Sequence, residues 1–291
     1  MKMRIAARLG LRAARCVAPG GHDRDTGWLG RHDLTMTDPS SREFFFVSEA
    51  ASHDGLRLGL AWLMKWGDPR RDGIVIVPVK RQFERGYQLA DVLGVEVTKT
   101  LGKGNRVKTP SGRYLRGYTV RTFPRYGEHG PVLAVWLSGK NLDVVQDSGA
   151  GAVCLVPWLK KDGLVWAKGV GARDLMGADA SEEEPLVTDP VVAAALESLT
   201  RRVNLSTGIV HPMDRSAAVW MFRILRRGKQ AWTGDEVTAW ALRHGWDARH
   251  ARELGEMAAG FLQGRRYRAD KRTAWAEDIL KKWRAVAEDD R

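Results

Sequence analysis

Apolar residues in the first half of this chain gather into short runs of strand length, separated by stretches where they recur every three or four positions. The runs are EFFFVSEA (43–50), GIVIVPVK (73–80), PVLAVWLSGK (131–140) and AVCLVPW (152–158). GIVIVPVK is β-branched and apolar on both faces, as a strand covered by helices on both sides must be. After the first run, SHDGLRLGLAWLMKWG places Leu56, Leu60, Leu63 and Met64 at helical spacing, and Gly67 and Pro69 close the segment. QFERGYQLADVLG (82–94) reads as the next helix, ending at Gly94, and NLDVVQDSG as a short later one.

Strands alternating with amphipathic helices predict an α/β fold with a parallel sheet, Rossmann-like or flavodoxin-like, over residues 43–165. A basic segment at 96–130 interrupts the rhythm. Its TPSG (109–112) reads as a hairpin turn and GRYLRGYTVRTF as the strand of a basic arm. Residues 166–185, rich in small residues and acids, read as a linker. Beyond it the pattern changes to helix after helix, which predicts a separate all-helical domain over 186–291.

Start signals mark those helices. Asp189 precedes Pro190 as an N-cap, and Pro212 opens a second helix whose Met213, Ala217, Trp220, Met221, Ile224 and Leu225 share one face. Thr233 and Glu236 have the spacing of a capping box, and Asp247 opens a further helix. TAWAEDILKKWRAVAEDD closes the chain.

Composition sets the partner class. The chain has 291 residues, 44% hydrophobic and 28% charged, which is a globular balance, and its net charge is +12. A surface that basic favours polyanions. Cys16 and Cys154 make no disulfide framework, and no apolar stretch approaches the length of a membrane span, so a cytoplasmic protein is expected. Cys154 sits in an apolar run and reads as a buried thiol. Residues 1–42 are basic and acid-poor before His22. They read as a disordered extension, with Met36 an alternative start.

No dinucleotide-binding glycine pattern follows a predicted strand, LGKGN lacks the frame of a phosphate-binding loop, and the seven histidines are scattered. Neither cofactor nor metal is assigned. In open α/β sheets ligands bind beyond the carboxyl ends of the strands. Those ends carry Ser48, Glu49 and His53, then Lys80, then Ser138 and Lys140. The lysines suit a phosphate, and Glu49 or His53 suits a general base.

Residues 99–127 hold eight cations and no acid, with Tyr114, Tyr118, Phe123 and Tyr126 interleaved. Cations along a backbone plus aromatic faces are the means of holding a single strand. Lys103, Arg106, Lys108, Arg113, Arg116 and Arg121 are therefore candidate phosphate contacts, with Tyr114 and Tyr118 as stacking platforms. Arg125 belongs to the same run. A second cationic run, Arg265, Arg266, Arg268, Lys271 and Arg272, lies near the end of the chain.

One segment carries a resemblance. Ala241 inside one predicted helix, Gly245 at a turn, and Ala251 and Leu254 in the next follow the pattern of a helix-turn-helix, so residues 235–263 resemble that superfamily of DNA-binding regulators. The resemblance implies a second helix in the major groove with Arg249, His250 and Arg252 near its start. His244 stands where an apolar residue is usual, and Gly255 and Gly260 fall inside the second helix. The favoured function is nucleic-acid binding, DNA above RNA, through the arm, the helix pair or both. The rival is an enzyme acting on a nucleotide or sugar phosphate at the strand ends. A third reading is an adaptor that binds another protein through the helical domain.

Overall fold

The computed structural model describes residues 42–68, 70–124, 129–146, 148–177, 185–205 and 207–289. The expected N-terminal extension, Arg125 and Tyr126 lie outside the described residues. Strands β1 (Glu43–Phe46), β2 (Gly73–Val77), β3 (Val107–Lys108), β4 (Tyr114–Thr119), β5 (Val132–Val135), β6 (Ala152–Val156) and β7 (Arg173–Asp174) form one sheet. Their order is β3-β4-β2-β5-β6-β1-β7. Every pairing is parallel except β3 with β4.

The central strands are buried throughout because successive side chains feed opposite layers. Val75 and Val77 of β2 join Leu133, Val135, Cys154 and Val156 on one face, with Leu56, Leu60, Leu63, Leu89 and Leu101 above them. These leucines come from α1 (His53–Lys65), α2 (Gln88–Leu93) and α3 (Val95–Gly102). Ile74 and Ile76 point the other way and meet Leu142, Val144 and Trp166. This second layer is built by α4 (Asp143–Gln146) and α5 (Lys160–Val170). The α/β class follows from this three-layer packing. Cys154 is fully buried, and that burial pushes its thiol well above the usual range.

Two expectations change here. The basic segment is not a free arm: α3 forms its start, and Leu115–Thr119 of β4 pair with the whole of β2 in the sheet. The turn at Thr109–Gly112 does form, with the Gly112 N–H donating to Thr109 O at 3.0 Å, and it links β3 to β4. Residues read as linker also carry structure, since α5 continues to Val170 and β7 pairs with β1. A two-residue strand has no periodicity to detect.

The helical domain comprises α6 (Pro190–Thr200), α7 (Pro212–Arg227), α8 (Gly234–Arg243), α9 (Ala248–Leu262) and α10 (Ile279–Asp289). Side chains of Asp189 and Asp247 accept from Val191 N and Arg249 N, and Thr233 with Glu236 closes a full capping box. Satisfying these first-turn donors fixes where each helix starts. The buried face of α7 differs from the one its spacing predicts: Met213 is exposed, whereas Val219 and Phe222 are fully buried. Neighbours approach α7 from more than one side, so its apolar arc is wider than a single stripe. No helix among the described residues is long and apolar enough to cross a membrane.

Candidate nucleic-acid interface

Of the seven cations on the segment 96–124, Arg106, Arg113 and Arg116 are held by carbonyls or a carboxylate of the fold. Arg113 is 1% exposed. Its guanidinium donates to Leu63 O at 2.6 Å, Asp68 O at 3.0 Å and Gly67 O at 3.2 Å, where α1 ends. A cation that ties off helix-terminal carbonyls is favoured by the helix dipole and is closed to a phosphate. Arg106 and Arg116 both grip Asp72, at 2.6 and 2.7 Å. Burial pushes the Asp72 carboxyl up, but hydrogen bonds from the two arginines outweigh it and hold the group below its ordinary range.

The aromatic residues are engaged as well. Tyr114 lies under the Arg106 guanidinium at 4.2 Å and the Lys108 ammonium at 5.8 Å. Tyr118 packs edge-on against the buried Phe123 at 5.8 Å. An exposed ladder of rings is therefore not what this segment presents. Lys103, Lys108 and Arg121 remain exposed.

The helix-turn-helix-like pair is α8 and α9. Gly245 sits at φ +80°, the Trp246 N–H returns to Ala241 O at 3.0 Å, and the chain turns sharply into α9. This bond pattern ends a helix with a left-handed residue, which glycine adopts at least cost. Ala241, Ala251 and Leu254 are fully buried between the helices. Gly255 does not loosen α9. A side chain there would sit 2.6 Å from Gly234 O and collide with Thr238, so glycine permits the close crossing. His244 stacks on Trp240 with ring centres 3.6 Å apart, which accounts for its place at the turn.

The start of α9, however, is not presented to solvent as a reading head. His250 is 7% exposed and packs against Gly208. Arg252 reaches the α/β domain, donating to Asp143 at 2.7 Å and to Glu256 at 3.0 Å. Arg249 is exposed and pairs with Glu253 at 2.9 Å. Of the three, Arg249 alone projects outward.

Residues expected at the strand ends lie along one edge of the sheet without converging on a catalytic cluster. The Ser48 N–H donates to Asp174 at 3.3 Å, and Glu49 is exposed. His53 opens α1 and faces Asp91 of α2 at 3.4 Å. Lys80 begins, and Lys140 lies within, the one-turn helices that leave the adjacent strands β2 and β5, and both are exposed. Those connections run to opposite faces of the sheet, the arrangement beside which open α/β folds place ligands. Ser138 immediately precedes the second of the one-turn helices.

A cluster of five arginines lies elsewhere, on the helical domain. Arg223, Arg226 and Arg227 from the last turns of α7 face Arg265 and Arg266, which follow α9, across a cleft of about 480 Å³. Gly264, at φ +79°, turns the chain there, and the Arg265 N–H returns to Gly260 O at 2.8 Å. Phe261 and Tyr267 form the floor, 5.0 Å apart. Arg223 donates to Tyr267 O, and Arg226 to Phe261 O at 3.3 Å, so both are anchored by backbone carbonyls. No carboxylate lines the cleft, and none of the five arginines joins an ion pair among the described residues. The sequence pattern singles out the run that begins at Arg265 and passes over the arginines of α7. Only their contact makes them one surface.

Residues 188–284, the helical domain without its ends, match a family model described as Domain of unknown function (DUF1889). No curated protein matches the chain. No solved structure matches it either.

Proposed function

We propose that the protein binds nucleic acid through the arginine cleft of its helical domain. One observation carries the reading: five guanidinium groups face one cleft that no acid lines. Like charges 4 Å apart repel by about 1 kcal/mol even in water, so such a cluster is a cost in the free protein that a polyanion removes. Arginine pairs with phosphate oxygens through two parallel hydrogen bonds, and its neighbours here are already fixed by carbonyls. Phe261 is buried beneath the cleft, so contact is to the phosphodiester backbone more than to bases. Helices α8 and α9 then serve as the scaffold that carries the arginine-bearing turn, with Arg249 the member of the helix start placed to touch a strand.

The test is a fluorescence-anisotropy titration of labelled random single strands and duplexes at several salt concentrations. Engagement of all five arginines gives a log–log salt slope near −4.5 on duplex, at about −0.9 per phosphate neutralised. Replacing Arg227, Arg265 or Arg266 by Ala makes the slope shallower by about one unit each, for every sequence alike. Absence of binding by the wild type at low salt defeats the reading, and so does unchanged binding by the triple variant.

A second reading places a phosphorylated small molecule at the carboxyl edge of the sheet. The supporting observation is Trp136, which follows β5 at φ +59° although it is not glycine, and is 4% exposed. Backbone strain of this kind costs on the order of 1–3 kcal/mol and concentrates at ligand sites. Trp158, half exposed, meets it edge-on at 6.4 Å. A nucleoside-phosphate panel should then raise the melting temperature, and Lys80→Ala with Lys140→Ala should cancel the rise.

A further inference from the structure

The two domains meet across a cleft of about 240 Å³ that is separate from the arginine cleft and borders the strand-end site at Gly139, between Ser138 and Lys140. Leu142 and Trp166 line it from the α/β domain, and Leu242 and Ala259 from the helical domain. Most of its wall is apolar. Two hydrogen-bond donors in that wall lack partners. Trp166 is 3% exposed and its Nε1–H finds no acceptor. The Arg252 Nε–H is likewise buried and unpartnered, although the other nitrogens of that guanidinium hold Asp143 and Glu256.

An unsatisfied buried donor is costly, and an acceptor brought by a ligand removes that cost. The charge around the cleft narrows what the ligand can be. Asp143, Asp162, Asp235 and Glu256 line it with Arg252 as the cation of the lining. Lys161 offsets Asp235 at 2.8 Å, which still leaves carboxylates in excess. An anion is therefore repelled, whereas carboxylate oxygens accept well from neutral N–H groups. An apolar cavity of about 150 Å³ admits benzene, so the space here suits one ring or two fused rings.

We propose that the interdomain cleft binds a neutral planar heterocycle carrying a carbonyl beside ring N–H groups, the chemistry of an oxopurine or oxopyrimidine base. The Trp166 and Arg252 donors are sealed from solvent in the free protein, and a small shift of the two side chains brings them onto the carbonyl. The ring lies against Leu142, Leu242 and Ala259, and the N–H edge faces the carboxylates. Because the wall comes from both domains, the ligand also fastens them together.

The experiment is ligand-observed NMR and calorimetry on the full chain with hypoxanthine and uracil, using benzoate and toluene as controls. The expected result is binding of at least one base and neither control. Trp166→Phe keeps a ring and removes the donor, and should weaken binding at least tenfold. Ala259→Leu fills the cleft from a partly exposed position and should abolish binding while circular dichroism stays native. The proposal is overturned if neither base binds at millimolar concentration, if benzoate binds as well as the bases, or if folded Ala259→Leu binds like wild type.

Discussion

Arg252 of α9 donates to Asp143 of α4 at 2.7 Å, across the boundary between the two domains. Their side chains keep 26% and 17% of their exposure, so solvent screens the pair only in part. The hydrogen bond to Asp143 is the chief cause that raises the guanidinium above its ordinary value. The residue that the helix-turn-helix pattern assigns to a DNA base is thus the one that ties the second helix to the sheet domain.

Removing Arg252 strips the part-buried Asp143 of this partner, and removing Asp143 leaves Arg252 with Glu256 alone. Arg252→Ala or Asp143→Ala should lower stability by about 1–3 kcal/mol, and the double variant should cost less than the sum of the two. Urea unfolding of the four proteins measures this coupling. Strict additivity would show that the pair contributes no interaction.

Arg113 and Arg265 should behave in opposite ways. Arg113→Ala strips the cation from three carbonyls and leaves space in the core, at a cost of about 2–4 kcal/mol. Its affinity for nucleic acid, corrected for the folded fraction, should match wild type. Arg265→Ala should melt within about 0.5 kcal/mol of wild type and bind more weakly. Thermal unfolding paired with anisotropy separates the two roles.

Asp72 makes a pH-dependent contribution. Its folded-state value is depressed by Arg106 and Arg116 after burial has pushed it up, while in the unfolded chain it titrates near 3.9. The stabilisation is therefore complete above that unfolded value and is lost as pH falls through the lower folded one. Asp72→Asn should be less stable than wild type at pH 7, with the gap narrowing below about pH 4. A gap that is constant from pH 7 to pH 2.5 in urea titrations would exclude this linkage.

Gly255 fixes how closely α8 and α9 cross. Gly255→Ala places a methyl group against Thr238 and 2.6 Å from Gly234 O, which is backbone and cannot swing away. The helices must separate, at about 1–3 kcal/mol for an overpacked site. Gly245→Asn, at a left-handed position with open space around it, should cost less. Chemical denaturation that ranks the two in the reverse order would refute the close-crossing argument.

What the sequence determined by itself was local. Continuous apolar runs of strand length predicted β1, β2, β5 and β6, and period-3.6 spacing predicted the helix α1, because burial on one or both faces is written residue by residue into each element. Asp189, Thr233 and Asp247 marked helix starts because a cap bonds a donor only two or three positions away. The basic run at 99–127 was equally visible, but the partner of each cation was not. Arg113 meets Leu63 across 50 positions, Arg116 meets Asp72 across 44, and Arg252 meets Asp143 across 109. The arginine cleft likewise arises where α7 and the turn after α9 come together, with Arg226 on Phe261 across 35 positions and Arg223 on Tyr267 across 44. Charge has no period and acts over whatever distance the fold creates. Composition announced a cationic protein, and packing decided which cations are paired with carboxylates and which stay at the surface without an ion pair.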